Sequence, residues 1–250
     1  MACAPNESCG FVMKDGTYQL CRNVSQDPQN SFAMHHDDVM AYLDDAAAYV
    51  HSECYTSEDI DKSDGVDSGG ISAADMEHQW AMGIPLGVCK VLDGWASQPY
   101  FYGDDLPPVP LIGRPFINGI WDCYSAIRDV YRQDGFGLIS PHYGTEPIIL
   151  PDYPRDYEWW GGIGKDGKEF GPTADLYRDN FEAAGFRPID ISELRGGDVF
   201  LAQIGSTVTN HGGVYLGDGQ IFHHLRRRVS RREPAPQWIR YVTEYLRYEP

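Results

Sequence analysis

The sequence is short of positive charge. Its 250 residues carry 20 Lys and Arg against 37 Asp and Glu, a formal net charge of −17. Gripping a nucleic-acid backbone takes clustered cations, so no nucleic-acid partner is expected. No apolar run approaches the roughly 18 residues that cross a bilayer, so no membrane span is expected. The first residues, Met1-Ala2-Cys3-Ala4-Pro5-Asn6-Glu7, lack the basic stretch and apolar core of a secretory leader. The expectation is a chain folded in the cytoplasm, which something other than secretion carries out if it works outside the cell. Cys3, Cys9, Cys21, Cys54, Cys89 and Cys123 form no CxxC pair and no zinc-ribbon spacing. Without export, reduced thiols are the default. There is no internal repeat and no low-complexity tract.

What is present is globular. A hydrophobic content of 42% with 13% aromatics supports a packed core. The acid is uneven: residues 37–75 are rich in Asp and Glu, whereas residues 225–232 form a basic block. That asymmetry suits docking to an acidic neighbour, or it is a solvated face.

The pattern along the chain predicts an α+β fold in two domains. Strands are expected at 10–13 and 17–21, around the turn Lys14-Asp15-Gly16. Helical spacing covers 37–49, followed by a strand at 49–52. Residues 55–70 read as an exposed acidic loop. Ser72 with Asp75 three residues on caps a helix to Met82, and a strand follows within 84–92. Residues 93–118 carry Pro99, Pro107, Pro108, Pro110 and Pro115, a linker composition. A boundary near 105 gives domains of 1–104 and 105–250. The second domain has a helix at 122–133, then an insertion at 140–171 that is neither helix nor strand. A helix at 174–184 is ended by Gly185. Strands follow at 198–202, 212–216 and 220–223, the last two joined by Gly217-Asp218-Gly219. Residues 238–248 are a final strand or short helix. A helix packed on an antiparallel sheet is an α+β layout.

Cys123 follows Asp122 and opens the first helix of that domain. A thiol there faces unpaired backbone N–H groups and the positive end of the helix dipole, and both favour thiolate. His211 begins one strand and His223 sits on the next, across a tight hairpin. Hairpin register brings such side chains onto one face. One imidazole takes the thiol proton while the other holds the first in the right tautomer. His224 falls on the opposite face. A lone Cys or His is usually a packing residue; the ordered set makes Cys123, His211 and His223 the candidate catalytic residues.

These residues resemble a known family. Trp121-Asp122-Cys123-Tyr124-Ser125-Ala126-Ile127 is similar to the Asp-Cys-Ser-Gly-Leu motif of NlpC-type peptidoglycan endopeptidases. Gly197-Asp198-Val199-Phe200 and the run from Asn210 through His211-Gly212-Gly213-Val214-Tyr215-Leu216-Gly217 resemble that family's next two motifs. Tyr124 and Ser125 depart from it. The resemblance covers roughly 110–250. It implies a papain-like domain with Cys123 as nucleophile, His211 as base and His223 as orienter, no cofactor for that chemistry, and cleavage of amide bonds in peptidoglycan stem peptides.

The first half resembles the JAMM metalloprotease family, with its deaminase-like α/β fold. Asn6-Glu7, His51-Ser52-Glu53 and Ser72-Ala73-Ala74-Asp75 carry the likeness. It implies Glu7 as base, Ser72 as oxyanion helper, and His51, Glu53 and Asp75 around a zinc ion, with Glu53 standing where the family has a second His. The alternative is a JAMM-like fold kept for architecture.

The two domains in this order resemble a class of tail-tip proteins of long-tailed phages. That likeness implies assembly in the host cytoplasm, a place at the virion's tail tip beside other tail-tip and baseplate proteins, and peptidoglycan of the host wall as substrate. The alternatives are a structural plug or adaptor with an occluded site, and a bacterial muropeptide-recycling enzyme.

Overall fold

The structure is a computed structural model that describes residues 5–55, 70–92, 95–155, 162–163, 169–170 and 174–250. The chain divides into two compact units, Met1–Pro107 and Pro108–Pro250.

The first unit is a mixed sheet. Strands β1 (Cys9–Met13), β2 (Tyr18–Cys21), β3 (Ala46–Tyr55), β4 (Leu86–Leu92), β5 (Trp95–Ala96) and β6 (Tyr100–Tyr102) run in the order β2-β1-β3-β4-β5, with β6 also on β4. β3 and β4 are parallel, with His51 opposite Val88. A parallel pair needs a crossover, which helix α2 (Ala73–Met82) supplies. Its start is a full capping box: Asp75 N–H donates to Ser72 Oγ at 3.1 Å, and Ser72 N–H donates to Asp75 Oδ2 at 3.0 Å. The expected helix at 37–49 is shorter. Helix α1 spans His36–Tyr42, a 3-10 turn covers Leu43–Asp45, and β3 already begins at Ala46. Ala46, Ala48 and Tyr49 are buried in a strand with neighbours on both sides. Such an apolar run has no period that tells strand from helix.

The second unit packs helices on an antiparallel sheet. Helix α3 (Cys123–Gln133) turns Cys123, Ala126, Ile127, Val130 and Tyr131 inward, the spacing of one helical face. They meet Val199, Leu201, Val214, Phe222 and Leu246. Short helices α4 (Ser140–Tyr143) and α5 (Leu176–Asn180) follow, separated by the two-residue strands β7 (Gly162–Ile163) and β8 (Glu169–Phe170). The sheet comprises β9 (Phe186–Ile189), β10 (Val199–Ala202), β11 (His211–Gly217), β12 (Gln220–His223), β13 (Arg231–Pro234) and β14 (Val242–Tyr248). Its order is β13-β12-β11-β10-β14-β9.

Several expectations are corrected here. The 140–171 stretch holds the helical turn α4, at whose start Asp134 accepts the N–H groups of Ile139 and Ser140, and the small hairpin of β7 and β8. The 174–184 helix shrinks to α5, capped by Asp175. β9 and β13 carry Pro188 and Pro234, which argue against strand in a sequence; both lie at sheet edges, where a missing N–H is tolerated. Residues 238–248 are both a 3-10 turn and a strand. The aromatic residues Tyr157, Trp159 and Trp160, and most of the acidic loop, lie outside the described residues.

Gly212 and Gly213 let these layers close. A Cβ on Gly212 would sit 3.1 Å from Tyr177 and 3.2 Å from Ile127 of α3. One on Gly213 would meet the Phe222 carbonyl oxygen at 2.5 Å and the Phe200 ring at 2.7 Å.

Candidate active site

Cys123 is the first residue of α3 and is fully buried. Asp122 caps the helix: its Oδ1 accepts the Ser125 N–H at 2.8 Å and the Ser125 hydroxyl at 2.9 Å, and its Oδ2 accepts the Gly119 N–H at 2.9 Å. Arg155 lies buried against this carboxylate. Its Nε donates to Asp122 Oδ2 at 2.7 Å, and its other nitrogens reach Asp152, Ser125 and the carbonyls of Tyr153 and Gly119. Burial pushes the Asp122 carboxyl up, but the guanidinium and the Ser125 donors outweigh it and hold it below its ordinary value.

The thiol shares a 2.9 Å hydrogen bond with the Tyr177 hydroxyl of α5. Burial raises it well above an ordinary cysteine, and the neighbouring Asp122 charge adds to that. Tyr177, the backbone N–H of Gly212 and Arg155 pull the other way and lose. The helix dipole had predicted thiolate; desolvation overrides it. Alkylation of Cys123, followed by peptide mapping, is therefore expected to be slow near neutral pH. It should climb about tenfold per pH unit up to about pH 9, because each unit below the pKa multiplies the thiolate tenfold. A rate that levels off near pH 7 would refute the raised thiol.

His211 begins β11, next to the Gly212 amide that faces the sulfur. His211 Nε2 and His223 Nδ1 are 2.9 Å apart, with the rings 5.2 Å apart and at 66°. Register explains the meeting: His223 pairs with Gly213, two residues along the same face from His211. Burial drives His211 well below the ordinary histidine value, with His223 and His224 adding to it. His224 lies instead against Phe116, ring centroids 5.2 Å apart. The structure thus brings His211 and His223 together, near Phe200 and Trp238, while Gly212 turns towards Ile127 of α3 and Tyr177, whose hydroxyl shares the thiol's hydrogen bond. Tyr177 and Arg155 had no signal in the sequence as site residues; each is far from Cys123 along the chain, and no local spacing links either to it.

In the first unit, His51 is buried between Glu7, 3.6 Å from its Nδ1, and Asp75, 3.3 Å from its Nε2. Neither contact meets hydrogen-bond geometry, so these are ion-pair contacts. Burial lowers the imidazole, but Asp75 and Glu7 outweigh it and raise it to about 9. Asp75 Oδ2 is taken by Ser72, and the Glu53 carboxylate by the Tyr55 hydroxyl. Among the described residues no three His, Cys, Asp or Glu side chains are arranged to hold a metal ion. This donor set, as placed, does not fit zinc. Elemental analysis of the purified protein is expected to give less than about a tenth of an equivalent. A value near one would mean that the cluster rearranges around a metal.

A buried thiol at a helix start, packed on an antiparallel sheet whose adjacent strands carry paired imidazoles, has the makings of a cysteine hydrolase centre. The chain belongs to the NlpC/P60 family: the family model matches residues 97–247. Members of this family are generally cysteine peptidases. The chain is similar to the tail tip assembly protein K of Escherichia phage lambda, 37% identical over 123 residues, which are 49% of this chain and 51% of that protein. It is 27% identical over 251 residues to the tail tip assembly protein K of Escherichia phage N15, covering 98% of this chain and 89% of that one. The match thus spans about half the length of the lambda relative. Solved structures with some likeness include an NlpC/P60 family protein from Bacillus cereus ATCC 10987, at 15% identity and a TM-score of 0.35, covering 98% of this chain and 64% of that one. Another is NlpC1 from Trichomonas vaginalis, at 14% and 0.33, covering 62% and 52%. Among the described residues no helix is long and apolar enough to cross a membrane.

Proposed function

We propose that this protein is a phage tail-tip endopeptidase that hydrolyses amide bonds in peptidoglycan stem peptides. The observation that carries the reading is the His211–His223 pair beside the Gly212 amide that faces Cys123, in a chain of this family with tail tip assembly relatives. As the sulfur attacks the scissile carbonyl, His211 takes the thiol proton. The S–C bond forms, the C–N bond breaks, and the same proton goes to the leaving amine. Water then attacks the thioester as His211 accepts its proton; the C–O bond forms, the C–S bond breaks, the carboxylic acid leaves, and the proton returns from His211 to the Cys123 sulfur. The backbone N–H of Cys123, at the first turn of α3, is on this reading a donor to the developing oxyanion. In this reading the tail tip opens the host wall locally during entry, among other tail-tip proteins, and the first unit is a JAMM-like fold kept for architecture. Incubation with defined muropeptides, with products read by mass spectrometry, tests it; intact substrate at high enzyme concentration would reject it.

One observation favours a second reading. Cys123 is fully buried under the Tyr177 hydroxyl, which suits a structural adaptor with an occluded site. The two readings separate on whether intact tails and free protein both cleave.

A further inference from the structure

The imidazole pair leads to a carboxylate. His223 Nε2 lies 3.5 Å from Glu233 Oε2. Glu233 is on β13 opposite Ile221 of β12, so it rises on the face that His223 shares, two residues along. It is tightly held there. The Trp238 indole N–H donates to Oε2 at 2.7 Å, and that ring stands edge-on to His223 at 4.5 Å. Arg231 engages Oε1, and Arg228 approaches it at 3.8 Å. Part of the basic block at 225–232 is thereby engaged by Glu233, with both arginine side chains still partly exposed.

A neutral imidazole carries one N–H and one lone pair, and an ionised carboxylate only accepts. Burial lowers His223 to about 4 despite the upward pull of Glu233, and lowers His211 further below its ordinary value. Both rings are neutral near pH 7. The Glu233 carboxylate then selects the His223 tautomer with its proton on Nε2. His223 Nδ1 becomes a lone pair, so His211 Nε2 must be the donor in their 2.9 Å contact. The lone pair of His211 is left on Nδ1.

We propose that Glu233 is a positioning residue: through His223 it fixes His211 as the Nε2–H tautomer, so that Nδ1 is the base for the Cys123 proton. Its kinetic consequence rests on the peptidase reading; its tautomer consequence does not. The test uses the full-length protein labelled with ¹⁵N histidine. Long-range ¹⁵N–¹H correlation near pH 7 should show His211 and His223 both as Nε2–H tautomers. In Glu233→Gln, whose amide both donates and accepts, the His223 signals should move towards Nδ1–H or a mixture. kcat on muropeptides should fall about 10–100-fold with KM little changed, and Glu233→Asp should recover part of the loss. A merely structural role would not move the tautomers. Unchanged tautomers in Glu233→Gln overturn the proposal. Should that variant fail to fold, the wild-type spectrum decides: a His223 proton on Nδ1 overturns it. Wild-type protein that cleaves nothing yet shows the expected tautomer change refutes the peptidase reading and leaves the role of Glu233 standing.

Discussion

Cys123→Ala is expected to remove muropeptide cleavage, by on the order of 10⁴-fold or more, while the protein still folds. The size of the effect follows from the proposed peptidase chemistry. Without the sulfur there is no acyl-enzyme, and the remaining donors give only residual rate over water. His211→Ala should cost a comparable amount, because in the proposed chemistry base and nucleophile act as one unit and their losses do not add. The fold should survive because little is removed. Cys123 is fully buried and its thiol shares a hydrogen bond with Tyr177. Its loss leaves a small space and one hydroxyl to repartner, a cost of about 1–2 kcal/mol. The measurement is product formation from defined muropeptides by mass spectrometry, with thermal unfolding of the same samples. Cleavage by a folded Cys123→Ala protein at even a hundredth of the wild-type rate would remove Cys123 from the chemistry. The occluded-adaptor reading predicts something different: wild type and variant alike inactive.

The residues that make up a linear motif were readable before the structure. Cys123 is marked by Asp122 and by the inward spacing of Ala126, Ile127, Val130 and Tyr131. His211 and His223 are marked by a hairpin whose turn residues are explicit. Fold elements with a clear period, such as α2 and α3, were readable for the same reason. What stayed hidden depends on contacts between distant segments. Tyr177 reaches Cys123 across 54 positions and Arg155 reaches Asp122 across 33. No local pattern encodes either. Glu233 was hidden by its neighbours, since an acid at the end of a basic block reads as surface charge until β13 pairs with β12 and turns it towards His223. The edge strands β9 and β13 were hidden by their prolines. In the first unit, Ala46 to Ala48 followed a helix without a break, and only the two flanking strands make that segment β3.

Arg155→Met is expected to cost about 3–5 kcal/mol, the largest stability loss among these changes, because it leaves a buried carboxylate without its cation. Asp122 and Arg155 are both almost wholly buried. Asp122 can reorganise little, since its oxygens already hold Gly119 and Ser125. A loss of that size lowers the melting temperature by roughly 10 °C or more in a chain of this length. The charge explanation makes two further demands. First, Asp122→Asn in the same background should recover much of the loss, because Asn still caps the helix but carries no charge. Second, the deficit should shrink in acid. With Arg155 gone, burial acts unopposed and the folded-state pKa of Asp122 rises above its unfolded value. Stability in the variant is then lost as pH rises through that window and regained as pH falls towards about 4. A deficit that stays constant between pH 7 and about pH 4, or a double variant no better than Arg155→Met, would mean that the guanidinium acts by filling space. The same ion pair bears on the chemistry: an unneutralised Asp122 beside Cys123 would push the thiol higher still, so the variant's alkylation rate near neutral pH should fall with its stability.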